Sequence, residues 1–375
     1  MIRDAFGIIY EEDQSMQFRE LVFMRTVGAL PVGGRYRSID FILSNMVNSG
    51  IRNVGVVTHR NYHSLMDHLG SGKEWDLSRK NEGLYILPPY ANPENPYTYH
   101  GVVDGLKNAS GYIARSKQKY CILSGSYTIY NMAFDDMVEY HVDSGADITM
   151  LYNEVPRIWY SDENKNDVRL HLNEDNRVID LELGSGISDS QKMGMDTYVI
   201  RKDLLEYLVE DCIAHGYCHL VSDLLMKNID RIKIVGYRHD GYVGRLYSAT
   251  SYYRVNMDML EFGVNKDLFY SPNQIYTKIK DEVPAKYTNT AHVKNSLIAN
   301  GCTIEGEVEN SILFRTVYVG KGAKIKNCII MQDSEIYNNT DLENVIVDKG
   351  VNIRQGRRLI GDKEFPVIIR KGAIV

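Results

Sequence analysis

The chain has 375 residues, 44% hydrophobic and 25% charged, which suits two folded domains of unequal size and argues against a disordered protein. Its 43 Lys and Arg against 49 Asp and Glu give a formal charge of −6, which argues against a general nucleic-acid or anionic-membrane surface. No apolar run approaches the roughly 20 residues of a membrane span. The start, Met1-Ile2-Arg3-Asp4, runs at once into a strand-like stretch, so no signal peptide is expected.

Ala5–Tyr10 reads as the first strand. Ile51–Thr58 is a β-branched run after Gly50, and His63–Leu69 opens a helix. Helical spacing follows over Val102–Ser116, then a buried strand at Lys119–Leu123 and an amphipathic helix at Phe134–Ser144. Asp147–Tyr152 is another strand, and Tyr198–Ile200 leads into a helix over Asp203–Ala214. Strands separated by helices of this length indicate βαβ units and a mainly parallel sheet, with ligands beyond the carboxyl ends of its strands. The five cysteines (Cys121, Cys212, Cys218, Cys302 and Cys328) contain no CxxC and no zinc spacing, which suits reduced thiols in a cytoplasmic protein. His215 and His219 flank Gly216, which interrupts a helical face and makes a metal pair the poorer reading.

Gly263–Thr290 holds Pro272 and Pro284 without a sustained period and reads as a linker. Beyond it a repeat appears: Asn295-Ser-Leu-Ile, Asn310-Ser-Ile-Leu, Asn327-Cys-Ile-Ile and Asn344-Val-Ile-Val recur at intervals of 15, 17 and 17 residues. Aliphatic residues six apart (Ile298 and Ile304, Val319 and Ile325, Val345 and Val351) fit short parallel strands wound into a triangular coil. Gly301, Gly306, Gly320 and Gly322 are expected at the corners. The open strand edges of about four coils are expected to make subunit contacts.

The stretch Leu30-Pro-Val-Gly-Gly-Arg-Tyr-Arg-Ser-Ile-Asp-Phe-Ile-Leu-Ser-Asn-Met-Val-Asn-Ser-Gly-Ile-Arg-Asn-Val-Gly-Val-Val-Thr58 resembles the glucose-1-phosphate adenylyltransferase (ADP-glucose pyrophosphorylase) family. Tyr99-His-Gly-Val-Val-Asp104, Leu123-Ser-Gly-Ser-Tyr127, Gly241-Tyr-Val-Gly-Arg-Leu246 and Asn256-Met-Asp-Met259 extend the likeness over nearly the whole chain. The resemblance implies a Rossmann-like nucleotidyltransferase domain with a mixed, mainly parallel sheet (1–262), a linker (263–290) and a left-handed parallel β-helix (291–375). It also implies a reaction of ATP with glucose 1-phosphate that needs cations around the phosphates and carboxylates for Mg²⁺.

Those groups are largely replaced. Where the family has a Gly-rich phosphate loop, this chain has Glu11-Glu12-Asp13-Gln14-Ser15-Met16, with no glycine and three carboxylates. By the resemblance, Val27 and Leu183 replace family lysines, and Ser126 and Tyr242 replace the two metal aspartates. Tyr99, Gly101, Asp104, Glu182 and Asp196 mark a vestigial sugar pocket. Losing one charge-stabilising group costs roughly 10²–10³ in rate. The pattern therefore resembles the family's non-catalytic, GlgD-type subunits, without catalytic residues, a resident metal or a cofactor of their own, Mg²⁺ belonging to the active partner.

The resemblance thus implies a regulatory subunit of glycogen biosynthesis paired with a catalytic, GlgC-type subunit, as a heterotetramer, with homo-oligomers of the lone chain left open. Arg25 and Arg37 match the family's basic effector pocket. Arg35, Arg60, Arg357 and Arg358 join them on charge alone as candidates for a phosphate or sugar-phosphate effector. Two other readings stand: a weakly active nucleotidyltransferase using other carboxylates such as Asp104 and Asp240, and a stand-alone sugar-phosphate sensor. A hexapeptide acyltransferase is disfavoured, because His292, the only histidine after Thr290, precedes the first coil.

Overall fold

A computed structural model describes the chain apart from residues 1, 3, 12–14, 90–98, 156–166 and 185–189, with only the backbone of residues 15–16. Two compact units result, neither contiguous in sequence. The first comprises Met1–Asp13, Phe41–Val243 and Pro272–Tyr276, and the second Gln14–Asp40, Gly244–Ser271 and Thr277–Val375. Compactness thus divides the chain differently from the ranges 1–262, 263–290 and 291–375. An early segment, Gln14–Asp40, joins the unit that holds the C-terminal repeat. No described helix is long and apolar enough to cross a membrane.

The first unit is built on a mixed sheet of nine strands among the described residues. Its order is Val178–Leu183, Val168–Leu172, Lys192–Arg201, Tyr120–Gly125, Ala5–Tyr10, Asn53–Val57, Gly83–Leu87. Ile148–Glu154 also pairs with Lys192–Arg201, and Ile234–Arg238 pairs with Ile148–Glu154. Ala5–Tyr10 runs parallel to both its neighbours, whereas Lys192–Arg201 is antiparallel to the strands beside it. Every residue of Ala5–Tyr10 is buried, as expected of a central strand covered on both faces. Helices His63–Leu69, Val102–Asn108, Ser110–Arg115, Asp135–Asp143 and Lys202–Ala214 are the crossovers the sequence announced, the segment Val102–Ser116 being split in two.

In the second unit, strands of two or three residues stack into three parallel sheets of five, a parallel β-helix. Stacked aliphatics fill its interior: Ile304, Val319, Ile336 and Ile353 in one sheet, Val308, Ile325 and Leu342 in the next. Leu313, Ile330 and Val347 complete the third. Each fully buried side chain of this kind contributes about 1.5–3 kcal/mol, so neighbouring rungs hold one another.

Two details add to the expectations. The presumed linker is partly ordered structure: Phe262–Phe269 is a helix anchored by buried Leu268, and Lys286–Tyr287 already forms a strand of the first rung. At the corners, Gly301 (φ 79°) and Gly322 (φ 71°) take left-handed turn positions as expected, and Gly306 and Gly320 do not. Asn295, Asn310, Asn327 and Asn344, the first residue of each repeated tetrapeptide, all have φ between 42° and 53°. Asparagine tolerates this left-handed conformation because its amide bonds locally. Between rungs, Asn295 Nδ2 donates to Asn310 Oδ1 (2.9 Å) and Asn327 Nδ2 to Asn344 Oδ1 (3.2 Å), so the corner amides also tie successive coils. Gly306 serves close approach instead, since a Cβ there would lie 2.4 Å from the Ala323 carbonyl oxygen.

Candidate functional site

At the carboxyl ends of the first unit's parallel strands lies a cleft of about 270 Å³. Tyr10 and Glu11 reach it from the end of Ala5–Tyr10, His59 from beyond Asn53–Val57, and Tyr127 from beyond Tyr120–Gly125. The π-helical turn Leu220–Leu225 closes another wall through Leu220, Val221 and Ser222. Of the sequence candidates, Tyr99, Gly101, Leu183 and Asp196 line this cleft. Asp196 has φ +49° where the pairing of Lys192–Arg201 with Ile148–Glu154 shifts register, and such an irregularity re-aims a strand side chain. Gly101 is required for its size: a Cβ would lie 2.2 Å from the Cys218 carbonyl oxygen.

Asp104 and Glu182 are not among the lining residues. The Asp104 carboxylate accepts the His100 backbone N–H (2.8 Å) at the start of helix Val102–Asn108. Glu182 follows from strand alternation: with Leu183 on the cleft side, its neighbour points to the opposite face, where Glu182 Oε1 is 3.0 Å from His171 Nε2. His215 and His219 are separated as expected. His219 lines the cleft, while His215 Nδ1 lies 2.8 Å from the Asp211 carbonyl oxygen and its ring stacks on Tyr217. The five cysteines are unpaired, four of them buried.

No lysine or arginine lines the cleft among the described residues; its carboxylates are Glu11 and Asp196. Glu12 and Asp13 of the acidic turn lie outside the described residues. Ser126, which the resemblance sets at the first metal position, is fully buried, and its hydroxyl donates toward Glu11 Oε1 at 3.4 Å. Tyr242 is half-buried after strand Ile234–Arg238, and Asp240 beside it is taken by Arg238 Nε at 2.6 Å. The one convergence of three or more His, Cys, Asp or Glu ligand atoms among the described residues is His171, Asp180 and Glu182, which is not part of the cleft lining. The resemblance sets Ser126 and Tyr242 at the two metal positions, and neither side chain is the carboxylate that a Mg²⁺ site there would need.

In the second unit Val27 is a buried apolar residue of the short turn Val27–Ala29. Arg25 corrects its assignment as an effector ligand. It is buried, its Nη2 stands 2.7 Å from both Asp348 oxygens, and Nη1 points at Met331 Sδ (3.6 Å), so the guanidinium is committed within the protein. Arg37 is half-buried, Arg35 is exposed with its guanidinium over the Tyr36 ring, Arg357 is exposed, and Arg358 pairs with Asp341 at 3.2 Å. Arg60 belongs to the first unit. Lys349, which the sequence does not single out, is half-buried, and its pKa is lowered to about 7 by burial and by the nearby charges of Arg37 and Arg25, with Asp348 opposing. Its only sequence signal is a charged pair, Asp348-Lys349, closing the apolar run Val345-Ile-Val347.

Residues 17–159 match the family described as Nucleotidyl transferase, and residues 282–365 the one described as GlmU-like, C-terminal hexapeptide. The chain is 37% identical over 369 residues to the "Glycogen biosynthesis protein GlgD" of Bacillus subtilis (strain 168), covering 98% of this chain and 96% of that protein. Identity is also 37%, over 377 residues, to the protein of the same name from Geobacillus stearothermophilus (100% and 98% covered). It is 32% over 346 residues to the "Glucose-1-phosphate adenylyltransferase" of Bacillus cytotoxicus (91% and 90% covered). With a Rossmann-like nucleotidyltransferase fold followed by a left-handed parallel β-helix, the chain belongs to the glucose-1-phosphate adenylyltransferase family that includes the GlgD proteins.

Proposed function

We propose that this protein is a regulatory, non-catalytic subunit in glycogen biosynthesis that associates with an active ADP-glucose-forming subunit of the same family. The observation that carries this reading is the cleft itself. Buried Ser126 faces Glu11 where a metal carboxylate is needed, and the described lining offers two carboxylates and no fixed cation to a polyphosphate. Each like-charge approach at short range is worth on the order of 4 kcal/mol at an effective dielectric constant near 20. With no described lysine or arginine to meet the phosphates, this site lacks the charge balance that binding and activating ATP require.

Association is supported by the open first rung of the β-helix. Val293 there is 39% exposed, whereas its stacked counterpart Val308 is 1% exposed, and Tyr287 is 51% exposed. A heterotetramer with a GlgC-type subunit is the assembly proposed, with Arg37 and Lys349 as the ligands of an anionic effector. Purified chain, catalytic subunit and their mixture are to be assayed for ADP-glucose formation with Mg²⁺. The chain alone is expected to give no turnover, and its addition to change the rate or effector response of the catalytic subunit. Turnover by the chain alone, or a mixture that behaves as the catalytic subunit alone, overturns the proposal.

A further inference from the structure

The edge hairpin of the first unit's sheet, Val168–Leu172 with Val178–Leu183, carries different chemistry on its two faces. On one, Val168 pairs with Leu183 and Leu170 with Leu181; the first two line the cleft and the others are buried. Side chains alternate along a strand, so the residues between these face the other way. There His171, Asp180 and Glu182 converge, one ligand atom of each lying within 4.8 Å of the other two.

The convergence depends on a β-bulge. Val178 pairs with Leu172 and Asp180 with His171, which makes Ile179 the extra residue. Regular pairing would set Ile179 opposite His171; the bulge sets a carboxylate there instead. Asp180 Oδ1 accepts the Leu181 N–H at 2.9 Å, which steadies that carboxylate.

A second observation concerns His171 Nε2. Glu182 Oε1 stands 3.0 Å from it, yet the nitrogen makes no hydrogen bond, so its bonding axis points past that oxygen. The group that covers the nitrogen at this distance is itself a metal-ligand type, on a side chain 43% exposed. Asp180 beside it is exposed as well. An ion entering between these donors takes each as a ligand and has no backbone to displace.

We propose that this face of the hairpin binds a divalent first-row transition ion of the zinc class through His171 Nε2, Asp180 and Glu182. Zinc bonded at about 2.0–2.2 Å sets neighbouring donors about 3.3 Å apart. Small side-chain movements therefore close this set around one ion, with water completing the shell. The imidazole selects a transition ion over Mg²⁺ and Ca²⁺, which take oxygen ligands. Arg169, buried and paired with Glu182 in the register, stands on the same face. One guanidinium against two carboxylates leaves an excess of negative charge but holds affinity to the micromolar range. Occupancy ties together the two strands whose opposite face walls the cleft.

Titration of the untagged, metal-free, full-length protein tests this, with Zn²⁺ by calorimetry and Co²⁺ by visible absorption. One equivalent of Zn²⁺ is expected to bind with a Kd of about 1–20 μM, and Mg²⁺ and Ca²⁺ at least about 100-fold more weakly. The Co²⁺ spectrum is expected to lack a thiolate charge-transfer band, which separates this site from the cysteines. His171→Ala is expected to lose at least about thirtyfold in Zn²⁺ affinity and Asp180→Asn about tenfold. Zn²⁺ is expected to raise the thermal midpoint of the wild type and not that of His171→Ala. Equal midpoints of the metal-free proteins verify the fold of both variants. The proposal is overturned if Zn²⁺ does not bind below about 100 μM, if Mg²⁺ binds equally well, if the Co²⁺ spectrum shows thiolate ligation, or if His171→Ala binds like the wild type.

Discussion

The Ser126 hydroxyl donates toward Glu11 Oε1 across 3.4 Å, and both side chains are buried. Ser126→Asp sets a second carboxylate against the first. A loss of about 2–4 kcal/mol at pH 7 is expected. The pair shares a raised pKa, so the loss shrinks as pH falls through it. Urea denaturation of the variant at pH 7 and pH 5 measures this, and equal stability to the wild type at pH 7 refutes it.

Asn344 is a corner with three duties. Its φ is 53°, its Nδ2 donates to the Gly361 carbonyl oxygen at 3.0 Å, and its Oδ1 accepts from Asn327 Nδ2 and the Tyr253 hydroxyl, each at 3.2 Å. Asn344→Ala is expected to cost about 2–4 kcal/mol, of which 1–2 reflect the backbone and the rest lost hydrogen bonds. Asn344→Gly relieves the backbone part and falls between Ala and wild type in a guanidinium melt.

The Arg25–Asp348 pair makes a test of buried charge. Asp348→Ala leaves a guanidinium without its carboxylate and is expected to cost about 3–5 kcal/mol. The double change Arg25→Met/Asp348→Leu removes both charges and is expected to recover most of that loss. A double variant as unstable as Asp348→Ala shows that packing, not charge, dominates there. Thermal melts of the single and double variants decide between these.

His141 sets an acid limit on the first unit. Burial, reinforced by the nearby Arg201 and opposed by Asp147, lowers its pKa to about 4, and Nδ1 lies 2.8 Å from Thr149 Oγ1. The unfolded chain, with histidine near 6.5, binds the proton more readily than the folded one between these values. Stability therefore rises with pH from about 4 to 6.5 and is lost on acidification through that window, by up to about 3 kcal/mol. His141→Gln is expected to flatten this stretch of the stability–pH curve obtained by urea titration.

Much of the architecture is legible because it is written in local patterns. The apolar run Ala5–Tyr10 forms a strand with those bounds, and four tetrapeptides headed by asparagine fall on four equivalent corners. Helix Phe262–Phe269 was hidden because Leu268 is its one fully buried residue, which leaves almost no amphipathic period. Tyr99, Gly101, Leu183 and Asp196 of the family-like motifs line the cleft, whereas Glu182 does not, because alternate strand residues point to opposite faces. Long-range partners leave no local trace. Asp348 neutralises Arg25 across 323 positions, and Asn53 meets Gln118 across 65.

That first separation bears on how the protein is made. A ribosome adding roughly 5–20 residues per second takes about 16–65 s to travel from Arg25 to Asp348. During that interval the segment Gln14–Asp40 has emerged, yet its closing partner does not exist, so a basic and apolar stretch waits in the open. The nascent chain therefore finishes its second unit only after translation of the last coils. The arrival of the last coils, rather than the opening residues, sets the moment at which this fold is complete.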